Sequence, residues 1–330
     1  MFTVVIPLFD KAAYLQRALD SVYAQTLAPA EILIVNDGST DGGDAIARRQ
    51  PDPRVRVIDQ PNRGVSVARN VGLEAAREPF VAFLDADDCW RPGFLAAMRE
   101  AIEAVPGAVL YAAGFELVAG GVPQRRYAVA GPPAAGPREV DFFAVCRREH
   151  PLHMSTTVVS RAAALAAGGF PARVAFCEDW IFWCRMALEG HVVLMPEILA
   201  EYDVGVPGQA VAAWAERYKR EVLEYHRFLA ELLRTRGIAA PGEPESEAPP
   251  ASDSCIEYCR HYLRLAVLQR TYHGNFAAVR KLYDALNLQA AGLGTVADAC
   301  AWIARHPGVQ PAARGALSAV RTLRSLATRS

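Results

Sequence analysis

The chain has 330 residues, of which 52% are hydrophobic and 22% are charged, and its formal net charge is −1. This composition is typical of a folded globular protein and excludes a disordered one. Because the charges nearly balance, we expect no global electrostatic attraction to nucleic acid and no nucleic-acid partner.

Neither the cysteines nor the hydropathy suggests an extracellular or membrane-spanning protein. The seven cysteines are odd in number and lack paired C-x-x-C spacing, which favours reduced thiols in a cytosolic protein. No segment reaches about 18 consecutive apolar residues, and Met1 leads directly into an apolar run rather than a basic leader. We therefore expect a soluble cytoplasmic protein, at most peripheral at the inner face of the membrane.

In the first hundred residues short apolar runs alternate with amphipathic segments. This pattern indicates strands joined by crossover helices in a largely parallel sheet. The predicted strands are 2–8, 31–35, 55–58 and 80–84, and the predicted helices are 14–24, 42–49 and 65–76. The expected fold is a doubly wound α/β layer, in which ligands bind outside the carboxyl ends of the strands.

Beyond residue 92 the pattern becomes mixed, and the α/β domain is predicted to span residues 1–205. The later predicted elements are a helix at 94–104, a hairpin of strands 108–118 and 124–129, a surface loop at 131–137, a strand at 154–159 and a helix at 178–189.

Residues 206–330 are predicted to form a carboxyl-terminal helical region, interrupted by a flexible Pro-rich linker at 237–253. Its last segment, 313–329, has leucines and a valine at helical spacing with arginines between them. This helix either packs on its own domain or provides membrane-surface binding or self-association.

Acidic residues follow the apolar strands, and the densest group is FLDADD. Asp85, Asp87 and Asp88 follow the strand 80–84, and two carboxylates at i and i+2 should emerge together at the ligand edge of the sheet. There they can hold a divalent cation that bridges the oxygens of a diphosphate. Because D-x-D alone is a weak signal, a merely solvated acidic loop is the alternative.

Two neighbouring segments add polar groups to the same edge. Asp37 follows the second strand and can accept a hydrogen bond from a base or a ribose, although helix capping by Ser39 or Asp41 also explains this turn. Arg69 lies in the third helix, where it either reaches toward a nucleotide or covers the sheet surface.

Taken together, these segments resemble the family 2 glycosyltransferases of the GT-A fold. The resemblance covers about 200 residues in the family's order and leaves out the last 125 or so. The matching segments are VVIPLFDKAAYLQRALDSVYAQT, EILIVNDGSTDGG, NRGVSVARNVGL, FLDADDCWRPGFL and GGFPARVAFCEDWIFWCRMALEG.

The resemblance implies roles for individual residues. Asp37 and Arg69 would contact the base, Asp85 the ribose, and Asp87 the metal on the diphosphate. The full set of implied nucleotide-binding residues is Pro7, Phe9, Asp37, Arg69, Asp85 and Ala86.

The acidic pair of the family corresponds to Glu178 and Asp179. Asp179 would be the catalytic base, and Glu178 would position this base or the acceptor. For Asp179 the structural alternative is a carboxylate at the start of a helix, favoured there by the helix dipole.

The fold that the resemblance implies is a mixed, doubly wound sheet with a Rossmann-like nucleotide-binding half. The implied activity is inverting glycosyl transfer from a nucleotide diphosphate donor, with a UDP-sugar as the expected donor and Mn²⁺ or Mg²⁺ as the cofactor. The acceptor would be a hydroxyl of a saccharide or a lipid-linked molecule, as in polysaccharide biosynthesis.

The sequence departs from the family at two places. Position 10 carries Asp where the family often has Asn, and EYDVGVPGQA lacks the basic, His-containing sequence found in many relatives. The Q-x-x-R-W motif and membrane helices of processive synthases are also missing, which favours a single-transfer enzyme.

Other functions remain to be weighed. A nucleotidyltransferase would carry a Gly-rich, basic loop near the amino terminus, and IPLFDKAAY is not one. A dinucleotide-binding dehydrogenase would show G-x-G-x-x-G after the first strand, and no such motif follows it. A non-catalytic nucleotide-sugar-binding module is the third alternative.

Overall fold

The structure is a computed structural model, and it describes residues 1–128, 136–148, 151–174, 176–206, 223–236 and 253–272. The chain divides into two compact units, Met1–Glu221 and Val222–Ser330.

The strands of the first unit are β1 (Phe2–Leu8), β2 (Glu31–Asn36), β3 (Val55–Asp59), β4 (Phe80–Phe83), β5 (Cys89–Trp90), β6 (Leu110–Ala119), β7 (Val122–Tyr127), β8 (Arg138–Val140), β9 (Thr157–Ser160) and β10 (Val192–Asp203). Its helices are α1 (Ala12–Tyr23), α2 (Gly43–Arg48), α3 (Val65–Ala75), α4 (Phe94–Ala104), α5 (Phe142–Cys146), α6 (Arg161–Ala166) and α7 (Glu178–Glu189).

These strands form one mixed sheet in the order β3-β2-β1-β4-β9-β6-β10-β5, with β7 beside β6 and β8 beside β10. Strands β1 to β4 are parallel, β9 is antiparallel to both of its neighbours, and β6 and β10 are again parallel. The predicted mixed, doubly wound α/β fold is confirmed. Because β1, β2 and β4 run in the same direction, their carboxyl ends lie at one edge of the sheet.

Strands β1 and β2 are apolar almost throughout and buried along their whole length. Such strands need cover on both faces, which helices provide in a parallel sheet. The closest packing is at Gly72 of α3, where a Cβ would lie 2.3 Å from Cγ1 of Val5. The missing side chain therefore lets α3 lie directly on β1.

The structure agrees closely with several predicted bounds and differs at others. The strand predicted at 154–159 begins as a 3-10 turn at Met154–Thr156, because the hydroxyls of Thr156 and Thr157 both donate to the carbonyl of His153. Strands β5 and β8 and helices α5 and α6 were not predicted, and β10 was given no range. The first four are too short to show a periodic hydrophobic pattern.

The second unit contains helices α8 (Leu223–Arg236) and α9 (Asp253–Tyr272), which pack on each other. The hydroxyls of Tyr225 and Tyr258 lie 2.5 Å apart at this contact. The predicted linker lies outside the described residues except for its last residue, which begins α9, and the predicted helix 313–329 also lies outside them. Among the helices described, none combines the length and apolar character needed to cross a membrane.

We expect Gly72→Ala to destabilise the protein by about 1–3 kcal/mol, because Val5 is a stiff, buried side chain that cannot move out of the way of a new methyl group. Urea denaturation of the full chain measures this loss. The matched control is Gly93→Ala before α4, where no atom lies within 4 Å of the new Cβ and φ is −90°. Equal stability of the two variants would contradict the close packing of α3 on β1.

Candidate active site

A buried guanidinium joins three elements at the ligand edge of the sheet. Arg69 of α3 is 4% exposed. Its Nη2 lies 2.7 Å from Oδ1 of Asp85, which follows β4, and its Nη1 lies 3.2 Å from Oε1 of Glu178 at the start of α7. This contact brings together three of the predicted site residues from distant parts of the chain.

Arg69 and Asp85 hold each other ionised. Burial acts to lower the pKa of Arg69, but Asp85 and Glu178 raise that pKa above its ordinary value. Burial acts to raise the pKa of Asp85, yet the adjacent Arg69 holds it below its ordinary value. Removing one partner would leave a buried charge without compensation, which is strongly destabilising.

Asp179 follows Glu178 in the first turn of α7. Its Oδ1 accepts a hydrogen bond from the backbone N–H of Trp180 at 2.7 Å. Burial and the neighbouring charge of Glu178 raise the pKa of Asp179 to about 7, although Arg69 opposes this shift. A carboxylate that titrates near neutral pH has the proton affinity that a general base requires.

The residue before this acidic pair has an unusual backbone. Cys177 has φ 63°, in the left-handed region that side chains other than those of Gly, Asn and Asp seldom adopt. Such strain is often found at functional sites. Here the left-handed residue is the N-cap of α7, so it sets the direction in which Glu178 and Asp179 leave the preceding loop.

Asp87, the predicted metal ligand, contacts two cationic side chains of the amino-terminal segment. Its Oδ2 lies 3.0 Å from Nζ of Lys11, and its carbonyl accepts a hydrogen bond of 2.6 Å from Arg17. Arg17 also lies 3.0 Å from Oδ2 of Asp203 at the end of β10. The loop that carries Asp87 is thus tied to both α1 and β10.

A second group of possible metal ligands lies in and beside this loop. One ligand atom from each of Asp85, Asp88 and His153 lies within 4.8 Å of the others, so these residues could also hold a cation. The hydroxyl of Ser155 donates to Asp88 and accepts from the N–H of Asp85. Asp87 is not a member of this group.

Burial has the largest effect on the pKa values of His153 and Asp88. It lowers the pKa of His153 to about 4, which leaves a neutral imidazole at pH 7. Burial, together with the charges of Asp85 and Asp87, raises the pKa of Asp88 well above its ordinary value. The ring of His153 stacks on that of Tyr202 at 4.2 Å between centroids, which fixes its plane.

Asp37 lies at the carboxyl end of β2 and organises the loop before α3. Its Oδ1 accepts from Gln60 at 2.6 Å and from the N–H of Arg63 at 2.8 Å, and its Oδ2 accepts from the N–H of Gly64 at 2.9 Å. An ionised carboxylate offers about four acceptor positions, so roughly one remains for a ligand. Asp37 therefore connects to the helix that carries Arg69.

The remaining predicted nucleotide-binding residues lie at the same ends of β1 and β4. Pro7 is buried in β1 beside Val35, Ala86 is buried between the aspartates of the loop, and Phe9 is 44% exposed. Asp10 has φ 48°, a conformation that Asn and Asp tolerate better than most residues, so the change from the family's Asn conserves the turn.

Sequence reasoning missed several side chains that lie at or beside the predicted residues. They are Lys11, Arg17, His153, Ser155 and Tyr202, whereas Asp88 was named within FLDADD but given no role of its own. Lys11 follows the first strand, so its position carried a signal. Nothing local marked the other four, which reach the site only through the topology of β9, β10 and α1.

Residues 3–147, which contain β1 to β8, match the family described as Glycosyl transferase family 2. This part of the chain is therefore similar to the family 2 glycosyltransferases. The site described above lies at its strand ends and is completed by α7, which follows the matched region.

Relatives of this domain include bacterial proteins of polysaccharide biosynthesis. The chain is 39% identical to EpsJ of Bacillus subtilis, which is named an uncharacterized glycosyltransferase. This match covers 90 residues, which are 27% of this chain and 26% of that protein. It is 45% identical over 100 residues to the succinoglycan biosynthesis protein ExoW of Rhizobium meliloti, 28% of this chain and 31% of that protein. The matches thus span about a quarter to a third of these relatives.

The solved structure of S. aureus TarS in complex with UDP-GlcNAc has the same fold. It aligns with a TM-score of 0.66 at 16% identity over 99% of this chain and 91% of that chain. The first unit of the present protein therefore shares the GT-A fold of that structure.

We expect Asp179→Asn to raise the melting temperature of the metal-free protein at pH 8, and this gain to shrink as the pH falls to 5. The folded pKa of Asp179, about 7, lies above the unfolded value of about 3.9. The folded state therefore binds the proton more tightly, and the wild type loses stability as the pH rises through this window. Differential scanning fluorimetry in EDTA measures the effect. A variant less stable than the wild type at pH 8 would contradict the burial of this carboxylate.

Proposed function

We propose that the protein is a metal-dependent, inverting glycosyltransferase that moves a sugar from a nucleotide diphosphate to a hydroxyl of its acceptor. The observation that carries this proposal is the convergence of Asp85, Glu178 and Arg69 at one sheet edge, with Asp87 and Asp179 as their chain neighbours. These are the residues that the family resemblance assigns to the donor and to catalysis.

A UDP-sugar is the donor that the relatives favour. TarS, which shares the fold, was crystallised with UDP and with UDP-GlcNAc. In the present chain Asp37 retains acceptor capacity for a base N–H, and the buried Arg69 lies beside Asp85, the residue assigned to the ribose. Both features suit a nucleoside at the ends of β1, β2 and β4.

The donor atoms at this edge fit a hard divalent cation such as Mn²⁺ or Mg²⁺. Carboxylate oxygens are the ligands that these ions prefer. Asp87 already holds a cationic group, the Lys11 ammonium, at 3.0 Å from its carboxylate. When bound, the metal would supply positive charge that stabilises the departing nucleoside diphosphate.

The acidic pair on α7 suits deprotonation of the acceptor. A hydroxyl is a poor nucleophile near neutral pH, so a carboxylate within hydrogen-bond reach has to take its proton during attack. Asp179, with a pKa of about 7, is the base in this proposal. Arg69 holds Glu178, and through it the first turn of α7, in place. Attack from the face opposite the leaving group inverts the anomeric centre.

The acceptor in this proposal is a saccharide or a lipid-linked molecule of polysaccharide assembly. The support is the succinoglycan biosynthesis protein among the relatives. A non-catalytic nucleotide-sugar-binding module is the competing function, and a nucleotidyltransferase is the second. The two experiments below separate these functions.

The first experiment tests the donor and the metal. We expect UDP with Mn²⁺ to raise the melting temperature of the wild type, because a ligand that binds only the folded state stabilises it. Without Mn²⁺ the shift should be much smaller, and in Asp87→Ala it should disappear. The control is Glu100→Ala, which removes an exposed carboxylate of α4. A shift that survives in Asp87→Ala but disappears in Asp88→Asn would place the cation in the group of Asp85, Asp88 and His153.

The second experiment tests catalysis. We expect Asp179→Asn to lower UDP-sugar hydrolysis or transfer by roughly 10²–10⁴-fold while UDP still binds, because the amide cannot accept the proton. Product release of UDP measures the rate, and thermal shift measures binding. Glu189→Gln makes the same chemical change at the exposed end of α7 and should leave the rate unchanged. Unaltered activity in Asp179→Asn would mean that another group is the base.

A further inference from the structure

One face of the first helical segment presents two cations to the loop after β4. Lys11, Tyr14 and Arg17 are spaced three apart, so they lie on one side of α1. Nζ of Lys11 and the guanidinium of Arg17 each lie 5.9 Å from the centre of the Tyr14 ring. Arg17 donates to the carbonyl of Asp87, whereas Lys11 contacts its carboxylate.

The two cations differ in what they can do. Arg17 contacts both the main chain of Asp87 and the carboxylate of Asp203, so it holds the loop that carries Asp87 in place. Lys11 contacts one oxygen of the carboxylate that the proposed metal would bind. Its side chain and that of Asp87 are only 16% and 11% exposed, so solvent screens their attraction far less than it does for a surface pair.

A divalent cation on Asp87 would bring a second positive charge to the carboxylate that Lys11 contacts. Two cations at hydrogen-bond distance from one carboxylate repel each other strongly in such a poorly hydrated place. The metal and the ammonium therefore compete for Asp87. A diphosphate changes this competition, because its own negative charge can receive the displaced ammonium.

We propose that Lys11 is an internal counter-ion that occupies Asp87 in the donor-free protein, is displaced by the divalent cation, and then interacts with the diphosphate of the donor. This proposal rests on the proposed function, which assigns the metal to Asp87. Lys11 thus couples metal binding to donor binding. By linkage, nucleotide strengthens metal binding by the same factor as metal strengthens nucleotide binding.

The test measures Mn²⁺ and UDP binding to the full chain without any measurement of turnover. Free Mn²⁺ is followed by electron paramagnetic resonance in the absence of nucleotide. We expect Lys11→Met to bind Mn²⁺ about ten-fold more tightly than the wild type, because the competing charge is gone. At saturating Mn²⁺ we expect the same variant to bind UDP about ten-fold more weakly by calorimetry. A general loss of folding cannot produce changes of opposite sign.

Three further variants test whether the effect comes from the charge of Lys11. Lys11→Gln can keep a hydrogen bond to Asp87 without the charge and should behave like Lys11→Met, so the test stands even if the Met variant does not fold. Lys11→Arg keeps the charge and should stay within about three-fold of the wild type for both ligands. Arg99→Met removes a cation from α4, where Arg99 lies 3.8 Å from Glu103, and should change neither affinity.

The outcomes separate this inference from the proposed function. Unchanged or weaker Mn²⁺ binding in both Lys11→Met and Lys11→Gln overturns the role of Lys11 and leaves the metal assignment standing. Wild-type Mn²⁺ binding in Asp87→Asn overturns the metal assignment itself. Mn²⁺ binding that requires Asp87 and tightens when Lys11 loses its charge supports both.

Discussion

The arrangement of this protein depends on the repulsion among carboxylates collected at one sheet edge. Burial adds to the cost of ionising Asp85 and Asp179, and the nearby charges of Glu178 and Asp85 raise the pKa of Asp179 further. The buried guanidinium of Arg69 contacts Asp85 and Glu178 and offsets this cost for Asp85. Asp179 is left with less compensation, and so its proton affinity is high. The same set of charges thus explains both the stability of the site and the chemistry that we propose for it.

The first half of the fold could be predicted because its elements are long and strongly patterned. β1, α4 and α7 begin and end where the sequence predicts. The mixed sheet also follows from the strand and helix pattern together with the family resemblance. In contrast, β5 has two residues and β8 has three, and a period of two cannot be recognised over such lengths. The turn at Met154–Thr156 was missed because it is set by hydroxyls bonding to His153.

The candidate site divides in the same way. The placement of Asp37, Asp85 and Asp87 at the strand ends could be predicted because each lies shortly after a strand, and the placement of Asp179 at the start of a helix because the helical pattern begins there. The contacts between side chains that are far apart in the sequence could not be predicted. Ser155 meets Asp88 across 67 residues of sequence, and Arg17 meets Asp203 across 186. Such contacts depend on strand order, which local sequence does not encode, so the cationic partners of Asp87 emerged only from the structure.

The link between Arg69 and Glu178 spans 109 residues and crosses the end of the matched family region at residue 147. A truncated chain ending there would retain Asp37, Asp85 and Asp87 but would lack α7 as well as β9 and β10 in the middle of the sheet. Arg69 would lose one of its two carboxylates, and the fragment would lose the acidic pair altogether. The matched segment alone therefore cannot form the compact unit Met1–Glu221, because the boundary of sequence similarity lies inside that unit.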